Sequence, residues 1–203
     1  MPLGPIGTFG AVIAMDARAG DRRALFDIGI TGPLAGLVPT LIFCVWGLHL
    51  SEAVPPVNGP SPGTMSFGLP PLFQFLAGML VEAGPGKTML SLHPLAYAGW
   101  VGLLITSLNL MPIGQLDGGH ILYGLLRTKA NHVSQILMLA AVVAVGLFGL
   151  WHWVLMLGLL MLMGPTHPPT ADDDVPLGPV RTALGWLTLA FIPIGFTPTP
   201  IIF

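Results

Sequence analysis

Charge is what this sequence has least of. Asp, Glu, Lys and Arg make up 8% of its 203 residues, against 53% hydrophobic, and mean hydropathy is +0.81. A water-soluble domain carries about 25% charged residues, so an ordinary soluble fold is excluded and the chain reads as an integral membrane protein. Basic clusters are missing too, and the net charge is −2. That excludes nucleic acid as a partner. Cysteine is limited to Cys44, in an apolar run, which excludes a disulfide framework and a cysteine-based metal site. The first residues, MPLGPIGTFG, lack a basic start and an apolar core, so no signal peptide is expected there. No internal repeat is visible, which argues against an inverted-repeat transporter.

Glycine and proline, by contrast, are plentiful, at 27 and 21. In a membrane both are tolerated inside and between helices. The apolar, partly β-branched stretch Ile6–Met15 predicts a short strand. The charged patch Asp16–Arg23 follows as a turn exposed to water. A first membrane helix is expected from about Leu25 to Leu50, kinked at Pro33 and Pro39. Gly32 and Gly36 give it a small-residue face for close helix packing. Residues Ser51–Leu69 read as a loop, and Pro70–Leu80 is apolar but too short to span. A second span runs from Pro94 to about Met111. Val133–Met163 carries no charge and suits a helical hairpin, with His152 at the interfacial turn between Trp151 and Trp153. A polar loop begins at His167, and a last span runs from Thr182 to about Phe196.

The expected fold is therefore an all-α polytopic membrane protein with a short N-terminal β-strand element. It has about five spans plus a re-entrant or surface segment. Such a path places Arg18, Arg22, Arg23, Arg127, Lys129 and Arg181 on one side and Lys87 on the other. The positive-inside rule makes the first side cytoplasmic, with Asp117 near it.

Asp117 is the main chemical signal. It stands in NLMPIGQLDGGH, Asn109 to His120, where Pro112 and Gly114 break the second span and a short helix resumes. A carboxylate at membrane depth is costly and faces a cavity, a partner or a metal. Irregular backbone at that depth lines a cavity or is buried in protein. A plainer role, capping the resumed helix, is compatible with either. His120 shares a helix face with Asp117 and could join it at a metal or hydrogen-bond to it, or could equally be a satisfied core histidine. Asn109 and Gln115 can donate amide hydrogen bonds into the same pocket or satisfy backbone freed by the break. GPGKT, Gly84 to Thr88, is a loop rather than a phosphate loop, because Val81 stands where the first glycine belongs. Asp172–Asp174 reads as a solvated acidic run and His167 as a loop residue.

NLMPIGQLDGGH resembles the Asn–Pro…Leu-Asp-Gly motif of the site-2 protease family of intramembrane metalloproteases. GTFGAVI, RRALFDIGITGPLAG, HPLAYAGWVGLLITSLNL and HPPTADDDVPLG resemble, in the same order, further segments of its bacterial and plastid-type branch. The resemblance covers nearly the whole chain. It implies one membrane-embedded peptidase domain over 1–203, N-terminally incomplete: strand and cytoplasmic turn over 1–24, membrane core over 25–164, loop and last span over 165–203. It implies one Zn2+, with Asp117 as third ligand beside two histidines of a helical HExxH. Asn109 would position substrate or stabilise the oxyanion, His120 would stand behind the ligand, and the strand residues Gly7, Thr8, Phe9 and Gly10 would hold an unwound substrate by strand addition. The implied partners are a membrane-spanning protein substrate and the lipid bilayer, and the implied location is the bacterial cytoplasmic membrane.

One element of the family pattern is missing. The histidines are His49, His93, His120, His132, His152 and His167, no two four apart, and the glutamates are Glu52 and Glu82. No HExxH exists in these residues. A truncated chain or a late start accounts for that, and so does a non-catalytic relative that binds membrane proteins. As given, the chain is expected to bind zinc weakly and not to cleave. The orientation is testable: single cysteines at positions 87 and 127 should react from opposite faces of sealed vesicles, and cytoplasmic labelling at 87 would sink it.

Overall fold

The structure, a computed structural model, describes residues 20–55, 66–82, 86 and 89–202. The expected strand over 6–15, and with it Gly7, Thr8, Phe9 and Gly10, lies outside the described residues. The described chain is mainly helical: α1 Arg22–His49, α2 Pro71–Leu80, α3 Pro94–Asn109, α4 Asp117–Leu126, α5 Lys129–Phe148, α6 Val154–Met163, α7 Pro179–Leu189 and α8 Ile192–Gly195. Four short strands join them: β1 Glu52–Val54, β2 Ser66–Phe67, β3 Met89–Ser91 and β4 Ile201–Ile202.

Two of these helices, α1 and α5, are long and apolar enough to cross a membrane. Among the described residues, helix length alone does not confirm the count of about five spans. At a rise of about 1.5 Å per residue, α3 is roughly 24 Å long, and α7, with 11 residues, is shorter still. The last apolar segment breaks after Leu189, ahead of Pro193, so it forms α7 and the one-turn α8 rather than one long helix. α1 runs unbroken through Pro33 and Pro39. The apolar stretch after Val133 does fold back as a hairpin. Gly149 ends α5 with φ 65°, and a 3-10 turn, Trp151–Trp153, leads into α6.

The described residues form two compact units, one within 20–34 and 108–192, the other within 35–107 and 193–202. In the second, the later part of α1 lies against α3 through glycines. A Cβ on Gly47 would strike the backbone of Ala96, and one on Gly99 would come within 2.6 Å of the Cys44 nitrogen. Segments read as loop supply β1 and β2 here. β1 pairs antiparallel with β3 (Ala53 opposite Leu90) and β2 with β4 (Phe67 opposite Ile201). The Trp100 indole N–H donates to the Gly68 carbonyl at 2.9 Å.

The first unit carries the NLMPIGQLDGGH segment. α3 stops at Asn109, and the chain turns through residues 110–116 before α4 starts at Asp117. Freed backbone groups find specific partners. Ser134 Oγ, on α5, donates to the Pro112 carbonyl at 2.8 Å, and Gly114 N–H donates to the Pro165 carbonyl at 3.2 Å. Phe26 and Ile30 of α1, Leu110 of the turn, Ile121 of α4 and Leu177 form a buried core cluster around this arrangement. α4 is held at its far end as well. Arg22 Nε donates to the Gly124 carbonyl at 2.7 Å and its Nη2 to the Leu125 carbonyl at 3.2 Å, supplying partners to carbonyls that a helix C-terminus leaves open.

The two glycines after Asp117 are steric requirements. A Cβ on Gly118 would collide with the Leu110 carbonyl oxygen, and one on Gly119 with that of Gly114. Both obstacles are backbone, which cannot rotate away. Gly118→Ala should therefore destabilise the protein by about 1–3 kcal/mol through overpacking, while Gly158→Ala, with open space around it, should be neutral. Thermal unfolding of both variants in detergent checks this, and equal stability would refute the packing argument.

Candidate metallopeptidase site

Asp117 is the first residue of α4. Leu116 occupies the capping position and no side chain caps the helix. The plainer role, in which the Asp117 side chain is itself the cap, is therefore not what the structure shows. The carboxylate still sits in the first turn, where the helix dipole favours negative charge. It is half-buried and makes no side-chain hydrogen bond or ion pair among the described residues. Its Oδ2 lies 3.6 Å from where a Cβ on Gly32 of α1 would stand, and Gly32 itself is exposed. The carboxylate thus looks onto an open glycine surface.

Gly29, one turn earlier, meets α4 more tightly. A Cβ there would come within 2.7 Å of the His120 Cβ and 3.1 Å of the Asp117 carbonyl oxygen. The small-residue face of α1 toward α4 is therefore Gly29 and Gly32. Gly36, expected to take part, has nothing within 4 Å of its Cβ position.

His120 is buried and meets a second histidine. Its Nδ1 lies 2.9 Å from His167 Nε2, both residues being buried. The proton positions follow from the partners. His167 Nδ1 lies 2.6 Å from the Pro168 carbonyl, which can only accept. Burial lowers the pKa of His167, against opposing contributions from the Pro168 hydrogen bond and Asp173, so the ring is neutral at pH 7. Nδ1 therefore carries its proton, Nε2 accepts, and His120 Nδ1 donates. Asn131 fixes the backbone of His167 with two hydrogen bonds, at 2.8 and 3.1 Å.

The segment expected to be a solvated loop is thus tied down. Tyr123 Oη donates to Asp173 at 2.7 Å, and Thr170 Oγ1 donates to its other oxygen at 2.6 Å. Burial opposes ionisation of Asp173, but these hydrogen bonds outweigh it and hold the carboxyl below its ordinary value. Arg127 pairs with Asp174 at 3.1 Å, and Arg181 forms a two-pronged pair with Asp27 at 2.7 and 2.9 Å. Of the acidic run, Asp172 and Asp174 are exposed. His167 is the residue that sequence reasoning missed. Its position 47 residues beyond His120 leaves no local signal.

Asn109, the last residue of α3, is half-buried and lines a small cavity. Gln115 is exposed in the turn and does not reach inward. The zinc implied by the family needs three protein ligands. Among the described residues no three His, Cys, Asp or Glu side chains converge, and His120 is engaged with His167. The donors present are one carboxylate, so these residues do not by themselves fit a zinc ion.

Residues 3–151 match the family described as Peptidase family M50. The chain belongs to that family. M50 is the site-2 protease family, and the similar proteins place this member in its plastid-type branch. It is 31% identical to the probable zinc metalloprotease EGY1, chloroplastic, of Arabidopsis thaliana over 95% of this chain and 36% of that protein. To the probable zinc metalloprotease EGY2, chloroplastic, of Oryza sativa subsp. indica it is 29% identical over 98% of this chain and 38% of the relative. It is also 33% identical to the DDT domain-containing protein PTM of Arabidopsis thaliana over 81% of this chain and 9% of that protein. The chain spans 21% to 38% of the length of the first metalloprotease relatives. No solved structure matches. The two metalloprotease relatives are plant proteins described as chloroplastic, so the expected bacterial cytoplasmic membrane has no support among them.

The histidine pair of this M50 domain can be probed without any metal. His167→Ala leaves a buried donor on His120 unpaired, a loss of about 1–3 kcal/mol. The double variant with His120→Ala should cost less than the two single losses added together, giving a coupling of about 1 kcal/mol. Additive unfolding energies would show that the 2.9 Å contact carries no weight.

Proposed function

We propose that this chain is the membrane core of a site-2-type zinc endopeptidase that hydrolyses peptide bonds of membrane-spanning proteins within the bilayer. The observation that carries the reading is Asp117. It is a carboxylate without a side-chain hydrogen-bond partner among the described residues, at the start of a helix that resumes after a break, open beside Gly32. It serves as the third ligand of a zinc whose two histidines come from an HExxH that these 203 residues do not contain. Asn109, at the end of α3, positions the substrate backbone or stabilises the oxyanion. The segment Gly7–Gly10, which lies outside the described residues, holds the unwound substrate. The domain is a multi-pass membrane protein over its whole length, with Asp117 toward the side that carries most of the lysine and arginine.

As given, the chain does not cleave, since one carboxylate does not make a zinc site. A second reading, a non-catalytic module of the same fold that binds membrane proteins, draws on the lack of three converging donors among the described residues and on a relative described by its DDT domain rather than as a protease.

Zinc content decides between them. The chain of 203 residues should purify without stoichiometric zinc and without cleavage of a single-span substrate. A chain extended by the in-frame coding sequence upstream of Met1 should carry an HExxH within roughly 20–40 residues and hold one zinc. In that longer chain Asp117→Ala should lower zinc affinity about 100-fold or more. Full zinc retention by the variant would overturn the assignment of Asp117, and an upstream stop codon with no HExxH would favour the non-catalytic module.

A further inference from the structure

Helix α2 and the β1–β3 ribbon border an open groove of about 540 Å3. Sites that hold whole ligands run to about 300–1,000 Å3, so the groove is larger than one side chain needs. Its walls all belong to the unit that contains residues 35–107. Phe73, fully buried, anchors α2. The face turned to the groove is Gln74, Ala77, Gly78 and Val81, at the i, i+3, i+4 and i+7 spacing of one helix side. No described atom lies within 4 Å of a Cβ position on Gly78. Ala77 and Gly78 thus make a low floor over which another backbone can come close. Ala53 of β1 and Leu90 of β3 stand opposite each other in the ribbon and both line the groove.

Two observations narrow the choice of occupant. The first is charge. Among the described lining residues the one charged group is Glu82, two residues past the end of α2. It is exposed and makes no hydrogen bond or ion pair among the described residues. A phosphate head group is repelled by that carboxylate and a hydrocarbon tail cannot use it, whereas a lysine or arginine pairs with it. The second is the ribbon itself. β1 pairs with β3 on one side and with no described strand on the other, and Glu52–Val54 make no further backbone hydrogen bond. An unpaired strand edge is a template for an extended peptide. A ribbon of two strands is marginal alone and gains from a third.

We propose that the free edge of β1 and the groove together dock an extended segment of a partner protein. The segment adds as a strand to β1, lays alternate apolar side chains over Ala77 and Gly78, and sets a lysine or arginine against Glu82. Three paired residues cover about 10 Å, so the engaged segment is short. This docking goes beyond the endopeptidase reading and holds whether or not the chain cleaves.

The test uses the 203-residue chain in phosphatidylcholine nanodiscs and a fluorescein-labelled pentapeptide of alternating leucine and threonine that ends in lysine. Anisotropy should show saturable binding that weakens with salt. The same peptide ending in glutamate should bind more weakly. Glu82→Gln should lower affinity about two- to fivefold, the scale of an exposed ion pair, and Glu52→Gln, on the other face of the ribbon, should leave it unchanged. Gly78→Leu fills the floor and should lower affinity about tenfold or more. Leucine is a better helix former than glycine at that exposed position, so the variant keeps its fold. N-methylation at successive peptide residues should weaken binding at alternate positions only, because every second N–H faces β1. Equal affinity for the two peptides, unchanged binding in Gly78→Leu, equal losses in Glu52→Gln and Glu82→Gln, or indifference to N-methylation would each overturn the docking site. Displacement of the peptide by phosphatidylethanolamine added to the nanodiscs would assign the groove to lipid instead. None of these readouts depends on zinc or on cleavage, so the docking site and the endopeptidase reading fail separately.

Discussion

A helix interrupted in an apolar environment must find partners for every backbone group that the interruption frees. The turn over residues 110–116 depends on that constraint. Ser134 Oγ reaches across from α5 to the Pro112 carbonyl, and Pro165 accepts from Gly114. These contacts make the break a fixed structure. They also explain why α5 and the segment after α6 pack where they do, since each supplies a partner that the turn cannot find within itself.

Close backbone approach is the second consequence. With Leu110 and Gly114 carbonyls lying against the first turn of α4, positions 118 and 119 have no room for a side chain. Gly29 and Gly32 give α1 the same allowance on the other flank. The first turn of α4 is thereby closely packed against the 110–116 turn and against Gly29, and the Asp117 carboxylate lies beside Gly32. Electrostatics then secures the surrounding segment, through Tyr123 and Thr170 on Asp173, Arg127 on Asp174 and Arg181 on Asp27.

The parts of this arrangement that were legible in the sequence are those with local causes. Pro112 and Gly114 announce the break because one lacks a donor and the other tolerates φ of 58°. The uncharged run after Val133 announces the hairpin, and the motif residues announce Asp117. What was not legible depends on contacts distant in sequence. Nothing near His167 reveals that it meets His120, and nothing near Gly36 shows that Gly29 takes its place against α4. The two-residue strands β2 and β4 have no periodicity to read, and exist because Phe67 and Ile201 are brought opposite each other. Helix length is less legible than apolar character for a related reason. Apolar composition marks what avoids water, but helix length follows from where proline and glycine interrupt it.

Arg22 gives the clamp on α4 a thermodynamic meaning. The helix is tied at its beginning by the Leu110–Leu116 turn and at its end by the guanidinium on Gly124 and Leu125. In small zinc domains the ion must organise the chain that binds it, and its affinity is spent partly on folding. Here the helix that carries the carboxylate is held in place by protein contacts alone. The backbone entropy of the segment that presents Asp117 was therefore already lost when the protein folded.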